Sequence, residues 1–94
     1  MERDETQRGF GIYKFTDSYN EKCSIQKSSA AMDDYIWLGI VDPKLTVFED
    51  ENLGKYLNVE MPKNFQVSTR MHLNREQVAA LLPILQEFVE TGEI

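Results

Sequence analysis

A small α+β domain is the fold this sequence predicts: an antiparallel sheet of four to six strands with one carboxy-terminal helix packed on a face. Three observations carry the expectation. Residues 65–73 alternate, with Phe65, Val67, Thr69, Met71 and Leu73 on one side of an extended segment and Gln66, Ser68, Arg70 and His72 on the other. Val78, Leu81, Leu82, Leu85, Phe88 and Val89 then recur at the spacing of one helix face, the pattern of a helix covering a core. Between them in argument, though earlier in the chain, Tyr35-Ile36-Trp37-Leu38-Gly39-Ile40-Val41 is apolar on both parities, as an inner strand covered on both faces would be.

Taken in order, residues 1–9 are mostly polar and read as a flexible arm, leaving residues 10–94 as a single domain. Phe10, Ile12, Tyr13 and Phe15, a polar run through Asn20 and Glu21, and then Cys23-Ser24-Ile25-Gln26 have the look of a hairpin. Asn20 suits a left-handed position in its turn. Small residues connect this hairpin to the Tyr35 strand, which Asp42-Pro43 ends. Leu45 to Phe48 and Tyr56 to Val59 are short strand candidates on either side of a turn-rich segment with Asn52 and Gly54. Pro62-Lys63-Asn64 leads into the strand from Phe65. Asn74 is a good N-cap, with Gln77 three residues on in a capping-box position and Glu76 where the helix dipole favours an acid. Pro83 removes an interior backbone donor, so the helix is expected to be kinked or broken there, and Gly92 is a natural stop.

The 94 residues suffice for one modest core but not for a core plus a deep, walled active site, which directs function to a surface. One cysteine rules out an intrachain disulfide. The start Met-Glu-Arg-Asp-Glu lacks the basic and apolar regions of a signal peptide, and no apolar run approaches the roughly 20 residues of a membrane span. A cytoplasmic protein without membrane contact is expected. The net charge of −6 is concentrated in the middle: residues 28–62 hold seven acids against Lys44 and Lys55, a balance of −5. Such a field, with no Lys/Arg stripe to oppose it, disfavours direct nucleic-acid binding.

Chemistry-bearing motifs are few. His72 is the only histidine, and Cys23, His72 and the acids show no metal-ligand spacing, so neither a metal nor a cofactor is expected. Cys23 shares parity with Ile25 and reads as a small core hydrophobe rather than a nucleophile. Gly9-Phe10-Gly11 precedes no helix and is no phosphate loop. The expectation is therefore a protein that is not an enzyme. Two binding surfaces remain. A protein partner would dock on the outer sheet face or on the acidic middle, where Glu49, Asp50, Glu51, Asp33 and Asp34 form a candidate patch. The alternative is a ligand site in which Arg70, His72, Gln26 and the Ser28-Ser29 pair surround Trp37 or Tyr35, combining stacking with a basic clamp.

Three stretches carry a resemblance: Phe15-Thr16-Asp17 running through Cys23-Ser24-Ile25-Gln26 to Ser28-Ser29-Ala30; Ile36-Trp37-Leu38-Gly39; and Arg70-Met71-His72-Leu73-Asn74 with Glu76-Gln77-Val78-Ala79 and Leu81-Leu82-Pro83. Together they resemble a family of short, mostly uncharacterised proteins encoded by bacteriophages and prophages. The segment from Val41 to Asn64 lies outside the likeness. The resemblance implies an accessory protein that acts in the host cytoplasm by binding a host protein such as a defence complex, the class that includes anti-CRISPR and other anti-defence inhibitors. Two other readings stay open beside it, a small-molecule or nucleotide-binding module and a structural or assembly homodimer that pairs edge strands and needs no ligand site.

Overall fold

A computed structural model describes residues 1–49 and 55–94, and within them the α+β expectation holds. The strands are β1 (Arg3–Glu5), β2 (Gly11–Thr16), β3 (Lys22–Lys27), β4 (Tyr35–Ile40), β5 (Leu45–Glu49), β6 (Lys55–Val59) and β7 (Arg70–Asn74), followed by helix α1 (Arg75–Thr91). Five strands form one sheet in the order β1-β2-β3-β4-β7, antiparallel throughout, while β5 and β6 pair as a separate hairpin. Residues 1–9, read from sequence as an arm, include the edge strand β1, with Asp4 opposite Ile12. The β2–β3 turn closes on Asp17, whose Oδ1 accepts from the backbone N–H groups of Tyr19 and Glu21, each at 2.9 Å, and Asn20 takes the left-handed conformation at φ 64°.

Register divides the sheet into two faces. Across the strands, Ile12, Gln26, Trp37 and His72 fall in one row and Lys14, Ser24, Gly39 and Arg70 in the next, so these residues share a polar face. Tyr13, Ile25, Leu38 and Met71, together with Phe15, Cys23, Ile36, Ile40 and Leu73, share the opposite, apolar face. β4 lies between β3 and β7, as expected of an inner strand, but all six of its residues remain partly exposed rather than covered on both faces. The reason is that nothing among the described residues forms a full second layer. Among the described apolar residues, only Ile12 (9% exposed) and Cys23 (6%) are buried.

α1 begins as the sequence predicts. Asn74 Oδ1 accepts from the Gln77 N–H at 2.8 Å and the Asn74 N–H donates to Gln77 Oε1 at 2.9 Å, a complete capping box. Gly92 ends the helix in the left-handed region at φ 75°, its N–H donating to the Phe88 carbonyl at 2.8 Å. Pro83 neither breaks the helix nor opens a second one; it lacks the N–H that would donate to the Ala79 carbonyl, and the remaining bonds carry the helix through. The apolar stripe was expected to be core, and here the structure differs. Val78 and Leu82 line a groove with Ile25, Ile36 and Leu73 at one corner of the apolar face, and β7 is the strand that α1 chiefly contacts. Beyond that corner the stripe stands open, with Leu85 56%, Phe88 57% and Val89 77% exposed. The last residue of β7, Asn74, is itself the helix cap, so α1 follows at once and its course carries it off the sheet before the stripe can lie down.

The strand expected from Phe65 starts only at Arg70. Asn64 adopts φ 66°, residues 65–69 are irregular, and the Thr69 hydroxyl donates to the Ile40 carbonyl at 2.7 Å, which docks the chain beside β4 just before pairing begins. No helix among the described residues is long and apolar enough to cross a membrane. Removing the helix cap should be visible in stability: Asn74→Ala is expected to cost about 1 kcal/mol, lowering the melting temperature by roughly 4–8 °C, whereas Asn74→Asp should stay near wild type. Thermal melts followed by far-UV circular dichroism check this, and equal melting of Asn74→Ala and wild type would mean the cap contributes nothing.

Candidate functional site

Of the alternative ligand site, Arg70, His72, Gln26, Ser28 and Trp37 come together on the polar face. Trp37 on β4 lies opposite His72 on β7 and Gln26 on β3 in the register. The His72 ring sits between two aromatic rings, with its centroid 4.5 Å from Tyr35 in a stacked arrangement and 4.1 Å from Trp37. Its Nε2 is 2.9 Å from the hydroxyl of Ser28, a buried residue, so the imidazole is held at its tip as well as on both faces. On the far side of Trp37 the Arg70 guanidinium lies 5.1 Å from the indole centroid and donates to Gln26 Oε1 at 3.4 Å. The result is a row, Tyr35–His72–Trp37–Arg70, laid along two adjacent strands.

The backbone makes this row possible at Gly39. Gly39 has φ 148°, and a Cβ built on it would lie 2.4 Å from the Thr69 carbonyl oxygen and 2.9 Å from Arg70 Cα, both backbone atoms. β7 thus approaches β4 more closely than any side chain at position 39 would allow. To reach Gln26 on β3, the Arg70 side chain must also cross β4, and the missing side chain leaves that path open. Beside it, Ser24 Oγ is fully buried with no hydrogen-bond partner among the described residues. Sequence reasoning named Arg70, His72, Gln26 and Ser28 around Trp37 or Tyr35 but overlooked Gly39. An isolated glycine inside an apolar strand is the signal of a close backbone approach, and it was there to be read.

The acidic set is not gathered in the same way. Asp33 and Asp34 are exposed in the β3–β4 connection before β4 begins, whereas Glu49 ends β5 in the hairpin that follows β4; Asp50 and Glu51 lie outside the described residues. Asp34 is moreover already engaged. Lys27 Nζ donates to its Oδ1 at 2.8 Å and an Arg75 nitrogen is 3.8 Å from Oδ2. The Lys27 hydrogen bond and charge, with a smaller contribution from Arg75, hold the Asp34 carboxyl below its ordinary pKa against a weak opposing desolvation. By contrast, Arg70 pairs with no carboxylate among the described residues, which leaves its charge available. Nor do three His, Cys, Asp or Glu side chains gather as a metal site among them.

Comparison with protein families, with curated proteins and with solved structures finds no match to this chain. The row must therefore be interpreted from its own geometry. Trp37, the only tryptophan, reports on it directly. His72→Ala should shift Trp37 fluorescence to longer wavelength, increase its quenching by acrylamide and weaken the near-UV dichroism, with the far-UV spectrum retained. Unchanged Trp37 spectra would contradict the stacking.

Proposed function

We propose that this chain is a non-enzymatic binding protein that docks on another protein through the polar face of its sheet. The observation that carries the reading is the Tyr35–His72–Trp37–Arg70 row, because Trp, Tyr and Arg are the residues that most often dominate protein–protein binding energy and here they are already ordered by one another. Preordering matters: side chains fixed before contact lose less rotamer freedom when a partner arrives. The resemblance to short phage-encoded proteins supports a host protein as the partner and an inhibitory, anti-defence role as the consequence of docking.

A small anionic ligand or nucleotide on the same row is the second reading, favoured by the Arg70 guanidinium, which no carboxylate neutralises among the described residues. Stacking geometry weighs against it. His72 and Arg70 both lie against Trp37, so that ring offers a ligand mainly its edges where a base needs an open face. A flat protein surface can use those edges.

The test is capture from bacterial lysate with the tagged chain, identification of the captured protein, and titration of that purified partner. Trp37→Ala and Arg70→Ala are each expected to weaken it by about 30-fold or more, the size of a hot-spot loss. Asp33→Asn with Asp34→Asn should change mainly the association rate and its salt dependence. Binding that survives Arg70→Ala but fails when Glu49, Asp50 and Glu51 are replaced by Gln would move the docking surface to the acidic run. A nucleotide that co-purifies with wild type and is lost in Arg70→Ala would establish the second reading instead.

A further inference from the structure

The largest unexplained feature lies away from the polar row. The accessible surface is 8350 Å², whereas a compact monomer of 10.9 kDa exposes about 5,600 Å². The radius of gyration is 16.8 Å, against about 12 Å for a compact domain of 94 residues. The excess is roughly 2,700 Å² per chain, comparable with the 1,000–2,500 Å² or more that each protomer of an obligate homodimer buries. Part of it belongs to the separate β5–β6 hairpin and the segment after it, where Val47, Phe48, Tyr56 and Phe65 are exposed. The apolar share on the main sheet and helix falls in two places: the apolar sheet face, where Tyr13 and Met71 are exposed and Ile25 and Leu38 only half-buried, and the α1 stripe beyond Leu82.

We infer that the missing cover is a second copy of this chain, each protomer laying the distal half of α1 across the apolar sheet face of the other about a two-fold axis. The two open surfaces match in size. Residues 82–91 of α1 extend roughly 15 Å at the rise of a helix, and β2, β3, β4 and β7 side by side span about 14 Å. They match in chemistry as well. On the helix, Glu76, Glu87 and Glu90 fall on the side opposite the stripe, so the surface that would meet the sheet carries no charge and the net charge of −6 does not oppose contact there. Because each chain carries both the helix and its receptor, one symmetric pairing covers both surfaces twice, which a closed two-fold assembly requires.

A second copy also answers a need that an occasional partner does not. With only Ile12 and Cys23 buried among the described apolar residues, the sheet lacks the core a domain of this size needs to stay folded. The cover must be at hand wherever the chain is made, and a second copy always is. The polar row stays outward on both protomers in this arrangement, so the pairing does not depend on the docking proposed for that face.

Sedimentation velocity of the purified chain across the micromolar range is expected to give a particle of twice the chain mass, with a melting temperature that rises with concentration. The double substitution Leu85→Glu, Phe88→Glu should release monomers that melt at lower temperature without that dependence. Should the variant fail to fold, isotope-filtered NMR on a mixture of labelled and unlabelled wild type still decides. Contacts between the Phe88 ring of one copy and the Leu38 or Met71 methyls of the other are expected. A wild-type chain that stays monomeric, or a dimer whose intermolecular contacts run along the β7 edge and leave Phe88 free, would overturn the inference.

Discussion

The close approach of β7 to β4 at Gly39 is the constraint on which the rest of the structure depends. The Thr69 carbonyl occupies space that a Cβ at position 39 would need, and only glycine meets both that demand and φ 148°. Pairing from that point sets the register that puts His72 opposite Trp37 and Leu73 opposite Ile36. The first pair builds the polar row and the second anchors the start of α1 through the corner it shares with Val78 and Leu82. The same contact therefore assembles the candidate binding face and decides where the helix leaves the sheet.

The two faces divide the chemistry. On the polar face, aromatic and guanidinium groups contact one another and hydrogen-bond to Ser28 and Gln26. On the apolar face, ordinary core residues stand half-open because α1, the one helix among the described residues, covers one corner. Under the proposals made above, interlocked polar groups beside an unfinished core would let stability and recognition come from separate contacts, one permanent and one exchangeable. Covering the apolar face adds the burial that folding requires and leaves the row free to meet a partner.

Much of the fold was legible because local signals agreed. Asn74, Gln77 and Gly92 mark the limits of α1 by capping chemistry alone, and Asn20 and Asp17 mark the β2–β3 turn. Alternation in Arg70-Met71-His72-Leu73 assigns each side chain to its observed face. The failures came where an outcome rests on distant contacts. Phe65 and Val67 have the alternation of a strand, but with Asn64 at positive φ and no partner in register their segment stays irregular and exposed. Periodicity showed that Leu81, Leu85 and Phe88 share a face of α1; it carried no information on whether the same chain or another covers that face. Gathering Gln26, Ser28, Trp37, Arg70 and His72 needed the strand order β3-β4-β7, which places residues more than forty positions apart side by side.

Native-state hydrogen exchange of Gly39→Ala tests the central role of this approach most directly. The account predicts that the amides of Arg70–Asn74 and the facing amides of β4 lose protection, because the added methyl group cannot coexist with the Thr69 carbonyl at its present position. Amides shared by β2 and β3, which β4 separates from β7, should keep most of theirs. Protection of β7 equal to that of wild type would contradict the account, since it would mean that the β4–β7 pairing, and the row built upon it, does not depend on the absence of a side chain at position 39.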